Sequence, residues 1–404
     1  MGFLLASFNV HGRAFVVFLA AMTALPPLAI DMALPSLALV QADFGASQTK
    51  AAASIAIFLA GFSTAPLLVG PLADRFGRKP VLIAGLLLFT LCGLGSALSP
   101  SIGALIGFRL FQGAGAGAVG ILPRAIVRDL FDARESRLFI TAIAQVNGIA
   151  PVIAPSLGAL ILYVAPWRTI YLALAAIGVL LLAVGLSRFL ESQPASARQS
   201  LEPAAVAANY WRALTNRFCL GFSLVLGLSF GGMFCFINTS PLLFMQGFGV
   251  SKAAFAGLFA FTSLGVIAGA SVNNQFVRRR VKPKTALDLA LSLTTLAALA
   301  LLAVSLLGHA SIVAVALLSF VYFCAMGLIF PNAMHEAVHP LPEIAAMASA
   351  VLLAGQMLGG AVGGALGAAL YRGASPLGIA EVMTGAALIA AVLYGVWLRP
   401  SIEQ

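Results

Sequence analysis

Apolar runs with uncharged interiors, two exceptions aside, recur along the chain from about 14 to 39, 51 to 70, 81 to 98, 102 to 123, 138 to 163 and 169 to 187. A second set runs from about 218 to 243, 253 to 272, 289 to 307, 310 to 330, 345 to 370 and 382 to 398. Each approaches or exceeds the roughly 20 residues that carry a helix across a bilayer. The longest polar stretch, Arg188 to Arg217, separates the sets and contains Gln193-Pro194-Ala195-Ser196 and Glu202-Pro203, the composition of a linker. The pattern predicts an all-α membrane protein: a six-helix bundle over 1–187, a linker over 188–217 and a second six-helix bundle over 218–404.

Composition agrees, because 61% of the 404 residues are hydrophobic and only 9% charged, against about 25% charged in soluble domains. The net charge of +10 raises the question of nucleic acid. Sorting the basic residues between alternate loops places 18 on the face that holds both termini and the linker, four on the other, and Arg109 inside the membrane. By the positive-inside rule that face is cytoplasmic. The charge therefore reports topology, and no nucleic-acid partner is expected. The first apolar run lacks a preceding basic segment and is long enough to span, so it reads as an anchor and not a cleaved signal. Cys92, Cys219, Cys235 and Cys324 all fall in predicted spans and suggest neither disulfides nor a metal site.

Asp31 and Arg109 are the two exceptions. An ionisable group at membrane depth costs at least about 2.5 kcal/mol, so it marks function and usually has a partner. Counting 1.5 Å per residue from the outer ends of spans 1 and 4 puts both roughly 12 to 14 Å below the outer surface, where they could pair. A carboxyl so placed can load or release a proton as a neighbouring helix moves or a substrate arrives; the alternative is a static pair that fixes packing. Pro26, Pro27 and Pro35 flank Asp31 and free carbonyls of the kind found beside a cavity. Asn147, Asn238 and Gln356, near mid-span, are cavity candidates for the same reason.

The loop after span 2 reads Gly70-Pro71-Leu72-Ala73-Asp74-Arg75-Phe76-Gly77-Arg78-Lys79-Pro80 and resembles the signature of the major facilitator superfamily. Its glycines suit a tight turn, Asp74 can face a helix amino terminus across the domain interface, and Arg75 and Arg78 can pair with acids such as Asp129 or Asp132. Asp31-Met32-Ala33-Leu34-Pro35, Arg109-Leu110-Phe111-Gln112-Gly113 and Arg124-Ala125-Ile126-Val127-Arg128-Asp129 are similar to the bicyclomycin and chloramphenicol resistance exporters of that superfamily. Span 5 holds Gly148, Pro151, Pro155 and Gly158 in a pattern that resembles the antiporter motif of twelve-span drug exporters. Its small residues allow close approach of a partner such as span 8, where Gly265 and Gly269 form a GxxxG face. Gly355, Gly359, Gly363 and Gly367 give span 11 a similar seam.

The resemblance implies two pseudo-symmetric bundles around a central cavity, and a proton-coupled exporter of small amphipathic drugs, neutral or zwitterionic, in a bacterial inner membrane. It implies a monomer that uses no cofactor and takes its energy from the proton gradient. Asp31 and Arg109 would couple protons; Met32, Gln112, Asn147, Phe234, Asn238, Phe261 and Gln356 would meet substrate. Two alternatives stand beside it. One is an uptake symporter for a nutrient such as a nucleoside or sugar. The other is a membrane metalloprotease, because His335-Glu336-Ala337-Val338-His339 matches HExxH; the prolines around that segment and its short loop favour a solvated helix end, with no metal.

Overall fold

The computed structural model describes residues 10, 12–132, 135, 139, 150, 153–193, 202–373 and 375–402. Eleven helices among them are long and apolar enough to cross a membrane, and a shorter apolar helix lies at Ile153–Val164, within the predicted fifth span. The first part comprises α1 (Arg13–Asp31), α2 (Leu37–Asp43), α3 (Gln48–Phe76), α4 (Arg78–Ala97), α5 (Ile102–Leu130), α6 (Ile153–Val164) and α7 (Arg168–Arg188). The second comprises α9 (Arg217–Pro241), α10 (Lys252–Arg278), α11 (Pro283–Leu306), α12 (Ile312–Val338), α13 (Ala345–Ala369) and α14 (Leu377–Val392). Between them the polar stretch contains a helix, α8 (Pro203–Thr215), which the sequence reading treats as linker.

Glycine seams let these helices approach. Gly359 and Gly363 of α13 lie on the backbones of Gly227 and Gly231 of α9, so closely that a Cβ on either would meet main-chain atoms. This is the contact that the four-residue glycine spacing predicts. The GxxxG face of span 8 does not receive span 5, the partner the sequence suggests, at its two glycines. Gly265 and Gly269 of α10 instead pack on the backbone of α12 at Phe320 and Cys324, and Gly158 of α6 packs on the Met32 carbonyl at the end of α1. GxxxG spacing sets how near two helices come and leaves open which helix comes.

The two parts touch directly at the end opposite α8. There α13 lies along α3, with Gly360 against Leu59 and Gly364 against Ala56. Asn238 of α9 donates through Nδ2 to the Ala52 carbonyl at 3.3 Å and the Gly364 carbonyl at 3.0 Å. At the α8 end the link is lighter. Tyr210 of α8 donates to the Leu67 carbonyl of α3 at 2.7 Å, and Arg212 pairs with Glu343 at 3.4 Å in an exposed position.

Candidate functional site

Between the two sets of helices lies a cavity of about 340 Å³, within the usual range for small-molecule sites. It is lined mostly by aromatic and aliphatic side chains of α1, α3, α5, α9, α10 and α13, with Thr23, Pro26, Pro27 and Asp31 on its α1 wall. The prolines at 26 and 27 do sit beside the cavity, as the freed carbonyls predict. Past Arg124 the space continues toward the α8 end into a second hollow of about 460 Å³, lined by Asn273, Asn274 and Gln356 among others.

Asp31 is 5% exposed and faces this cavity. Among the described residues its carboxyl has neither an ion pair nor a hydrogen bond. Arg109 is not its partner. The guanidinium is fully buried and donates through Nε to the Ser54 carbonyl at 3.2 Å, through one terminal nitrogen to Gln112 Oε1 at 2.9 Å, and through the other to the Ala29 carbonyl at 3.1 Å. It also lies 4.2 Å from the Phe58 ring centroid and 5.5 Å from that of Tyr171.

The physical reason lies in the end of α1. Pro35 ends regular α-helix, and the chain tightens so that the Ala33 amide bonds to Ile30 and not to Ala29. The Ala29 carbonyl is left for Arg109, which thereby ties α1 to α3 and α5 two residues before the acid. Three hydrogen bonds and an aromatic face satisfy the buried cation without a carboxylate.

Of the proposed substrate residues, the structure puts Phe234 on the cavity wall and Gln356 on the second hollow, where its Oε1 has no hydrogen-bond partner among the described residues. The others stand elsewhere. Met32 is buried with its carbonyl against Gly158. Gln112 belongs to the Arg109 cluster, and Asn238 joins α9 to α3 and α13. Phe261 is 37% exposed and stacks on Phe320 away from the cavity, at 5.0 Å between centroids. Asn147, like Gly148 and Pro151, lies outside the described residues; Pro155 and Gly158 are buried in α6.

Arg124 is a cavity residue that the hydropathy pattern does not mark. Its apolar run stops at about 123, but α5 continues to Leu130 and carries the guanidinium along the wall of both spaces. Phe230 and Ile237 stand with Phe234 on the cavity side of α9, as their helical period requires.

At the α8 end, Arg78 pairs with Asp74 at 2.6 Å and with Asp129 at 2.9 Å, so Asp74 spends its charge within its own bundle and does not cap a helix across the interface. Glu191 does the capping: its carboxylate accepts from the Arg78 and Lys79 amides at 2.8 and 3.1 Å, at the first turn of α4. Ser192 donates to Asp129 at 3.2 Å. The sharp turn needs glycine at Gly77, where φ is 96°. Gly70 lies inside α3 with open space around it and makes no turn. Arg75 stacks on Phe76, 5.2 Å from its ring, and Asp132 accepts from the Glu135 amide at 2.8 Å. His335 and His339 are exposed at the end of α12, and no cluster of three metal-ligating side chains occurs among the described residues.

Helical bundles enclosing an amphipathic cavity, with a charged turn between α3 and α4, define a secondary transporter. Residues 15–351 match the Major Facilitator Superfamily, and the chain belongs to that family; it is a multi-pass membrane transporter and not an enzyme. It is 34% identical over 346 residues, 85% of this chain and 86% of the other, to the multidrug resistance protein MdtL of Escherichia coli O9:H4 strain HS. It is 32% identical over 343 residues, 84% and 85% of the two chains, to the uncharacterized MFS-type transporter YdgK of Bacillus subtilis strain 168. Among solved structures it is similar to a D-xylose-proton symporter, with a TM-score of 0.72 at 16% identity over 95% and 98% of the chains. A bacterial homolog of the lysosomal transporter Spinster, inward-facing and unoccupied, gives 0.72 at 15% over 97% and 98%.

Proposed function

We propose that this transporter exports small amphipathic compounds, antimicrobials among them, in exchange for protons across a bacterial inner membrane. Both termini and α8 lie on the cytoplasmic side, a placement supported by the excess of basic residues in the loops of that face. The reading rests above all on Asp31, the only acid among the described residues that line the cavity, held there without a partner. An unpaired carboxyl in an apolar wall exchanges its charge readily against a proton or a substrate group. The kinship with a protein named for multidrug resistance supports export over nutrient uptake.

With the α3–α13 seam closed on the outer side, the cavity faces the cytoplasm. There ionised Asp31 receives a hydrogen-bond donor or cationic group of the substrate. Parting of the seam exposes the cavity outward, Asp31 takes a proton and the substrate leaves. Return of the protonated form releases the proton inside. One proton moving down 100 mV supplies about 2.3 kcal/mol, enough for roughly 50-fold accumulation of a neutral substrate.

The test is proton movement in everted membrane vesicles. Adding substrate to vesicles acidified by respiration is expected to alkalinise the lumen with the intact protein and not with Asp31→Asn. Equal alkalinisation from both would contradict the reading.

A further inference from the structure

The cavity has a second charge. Of the described residues that line it, Arg124 is the only base as Asp31 is the only acid, and the Arg124 guanidinium has no ion pair or hydrogen bond among the described residues. Its neighbour one turn on, Arg128, only adds like charge. The spacing of the two charged groups follows from the α1–α5 seam. Gly120 faces Pro26 across it. The helices are antiparallel, Asp31 lies five residues past Pro26 and Arg124 four past Gly120, so their Cα positions are about 14 Å apart along the axes. Between them the wall is apolar and aromatic, including Phe62, Phe230, Phe234 and Met233.

An anion alone would find Arg124 but would be opposed by ionised Asp31; a cation alone would find Asp31 and leave Arg124 unmatched. We propose that the cavity selects amphipathic zwitterions, in which a rigid aromatic body separates a basic nitrogen, held at Asp31, from an acidic group, held by the Arg124 guanidinium. This rests on the export reading above and specifies its substrate class. Arg124 is then a specificity-determining residue, and its fork geometry suits a carboxylate or sulfonate.

Binding to the purified full-length protein in detergent tests this without any transport step. The probes are 4′-(aminomethyl)biphenyl-4-carboxylic acid, its methyl ester, its N-acetyl derivative and the doubly blocked neutral form, titrated at neutral pH. The zwitterion is expected to bind the intact protein about 10-fold to 100-fold more tightly than the ester, the scale of a charge-assisted hydrogen bond. Arg124→Gln is expected to erase that gap while the neutral form binds unchanged, with Arg124→Lys retaining part of it. Asp31→Asn should instead erase the gap between the zwitterion and its N-acetyl derivative. A zwitterion that binds the intact protein no better than its ester overturns the proposal, whether or not Arg124→Gln folds. So does a gap that survives in Arg124→Gln. Neither result touches proton exchange through Asp31, which the vesicle assay reads separately.

Discussion

The phenol of Tyr210 in α8 donates to the Leu67 carbonyl of α3 at 2.7 Å, and Pro71 explains why that carbonyl is available. Proline at 71 has no amide to return to residue 67, so the acceptor inside α3 is an orphan that α8 satisfies from the other part of the chain. Burial and nearby Asp74 push the Tyr210 phenol up to about 12. It therefore stays a donor from acidic pH up to moderately alkaline pH and loses the proton only as pH approaches that value.

Tyr210→Phe is expected to destabilise the protein by about 1 kcal/mol, and by less in a Pro71→Ala background, where the new amide can bond Leu67 itself. Thermal unfolding in detergent of the four members of this double-mutant cycle checks it. Additive effects would show that the two residues are not coupled.

Arg109 serves α1, α3 and α5 at once, so its removal leaves the Ala29 carbonyl and the Gln112 Oε1 without a donor in a dry interior. Arg109→Ala should lower the melting temperature more than Asp31→Asn, by the equivalent of about 3 kcal/mol or more. Asp31→Asn, with no partner to abandon, should leave it nearly unchanged. Melting curves of the two variants side by side decide the point; the reverse order would mean that Asp31 has a structural partner.

Much of this was legible in the sequence, for reasons that differ residue by residue. Hydropathy alone places the spans, since a bilayer demands uncharged runs of fixed length. The isolation of Asp31 in such a run marks it as a cavity residue. Its supposed pairing with Arg109 rested on equal depth, and depth fixes one coordinate out of three. Which carbonyls are free for Arg109 depends on a local tightening before Pro35 that no pattern of types reveals. Arg124 escaped because a helix can outlast its apolar run, so a residue that reads as a loop cation stands in a cavity wall. Phe261 was misplaced because helix rotation, not composition, decides whether an aromatic faces a pocket or lipid.

The α9–α13 seam offers a sharp contrast between glycines. A methyl group at Gly363 would press on the main chain of Gly231, which cannot yield as a side chain can. Gly363→Ala should cost about 1 to 3 kcal/mol, seen as a lower melting temperature in detergent and a loss of transport. Gly257 in α10 has nothing within 4 Å of a new Cβ, and Gly257→Ala should be neutral or stabilise by up to about 1 kcal/mol.

At the closed end, Gly364 faces Ala56 with Asn238 and Phe234 beside it. Gly364→Leu should wedge α13 from α3 and bias the protein toward the outward-open state. A cysteine placed at Ala56 would then react faster with a membrane-impermeant maleimide added from outside. An unchanged labelling rate would argue that the seam is not the outer gate.

The central claim, that the Asp31 carboxyl carries the exchanged proton, is tested most directly in proteoliposomes holding a substrate gradient and a lumenal pH dye. The intact protein should move protons against the direction of substrate flow. Asp31→Asn should still exchange labelled for unlabelled substrate while moving no protons. Substrate-driven proton flux that persists undiminished in Asp31→Asn would contradict the account.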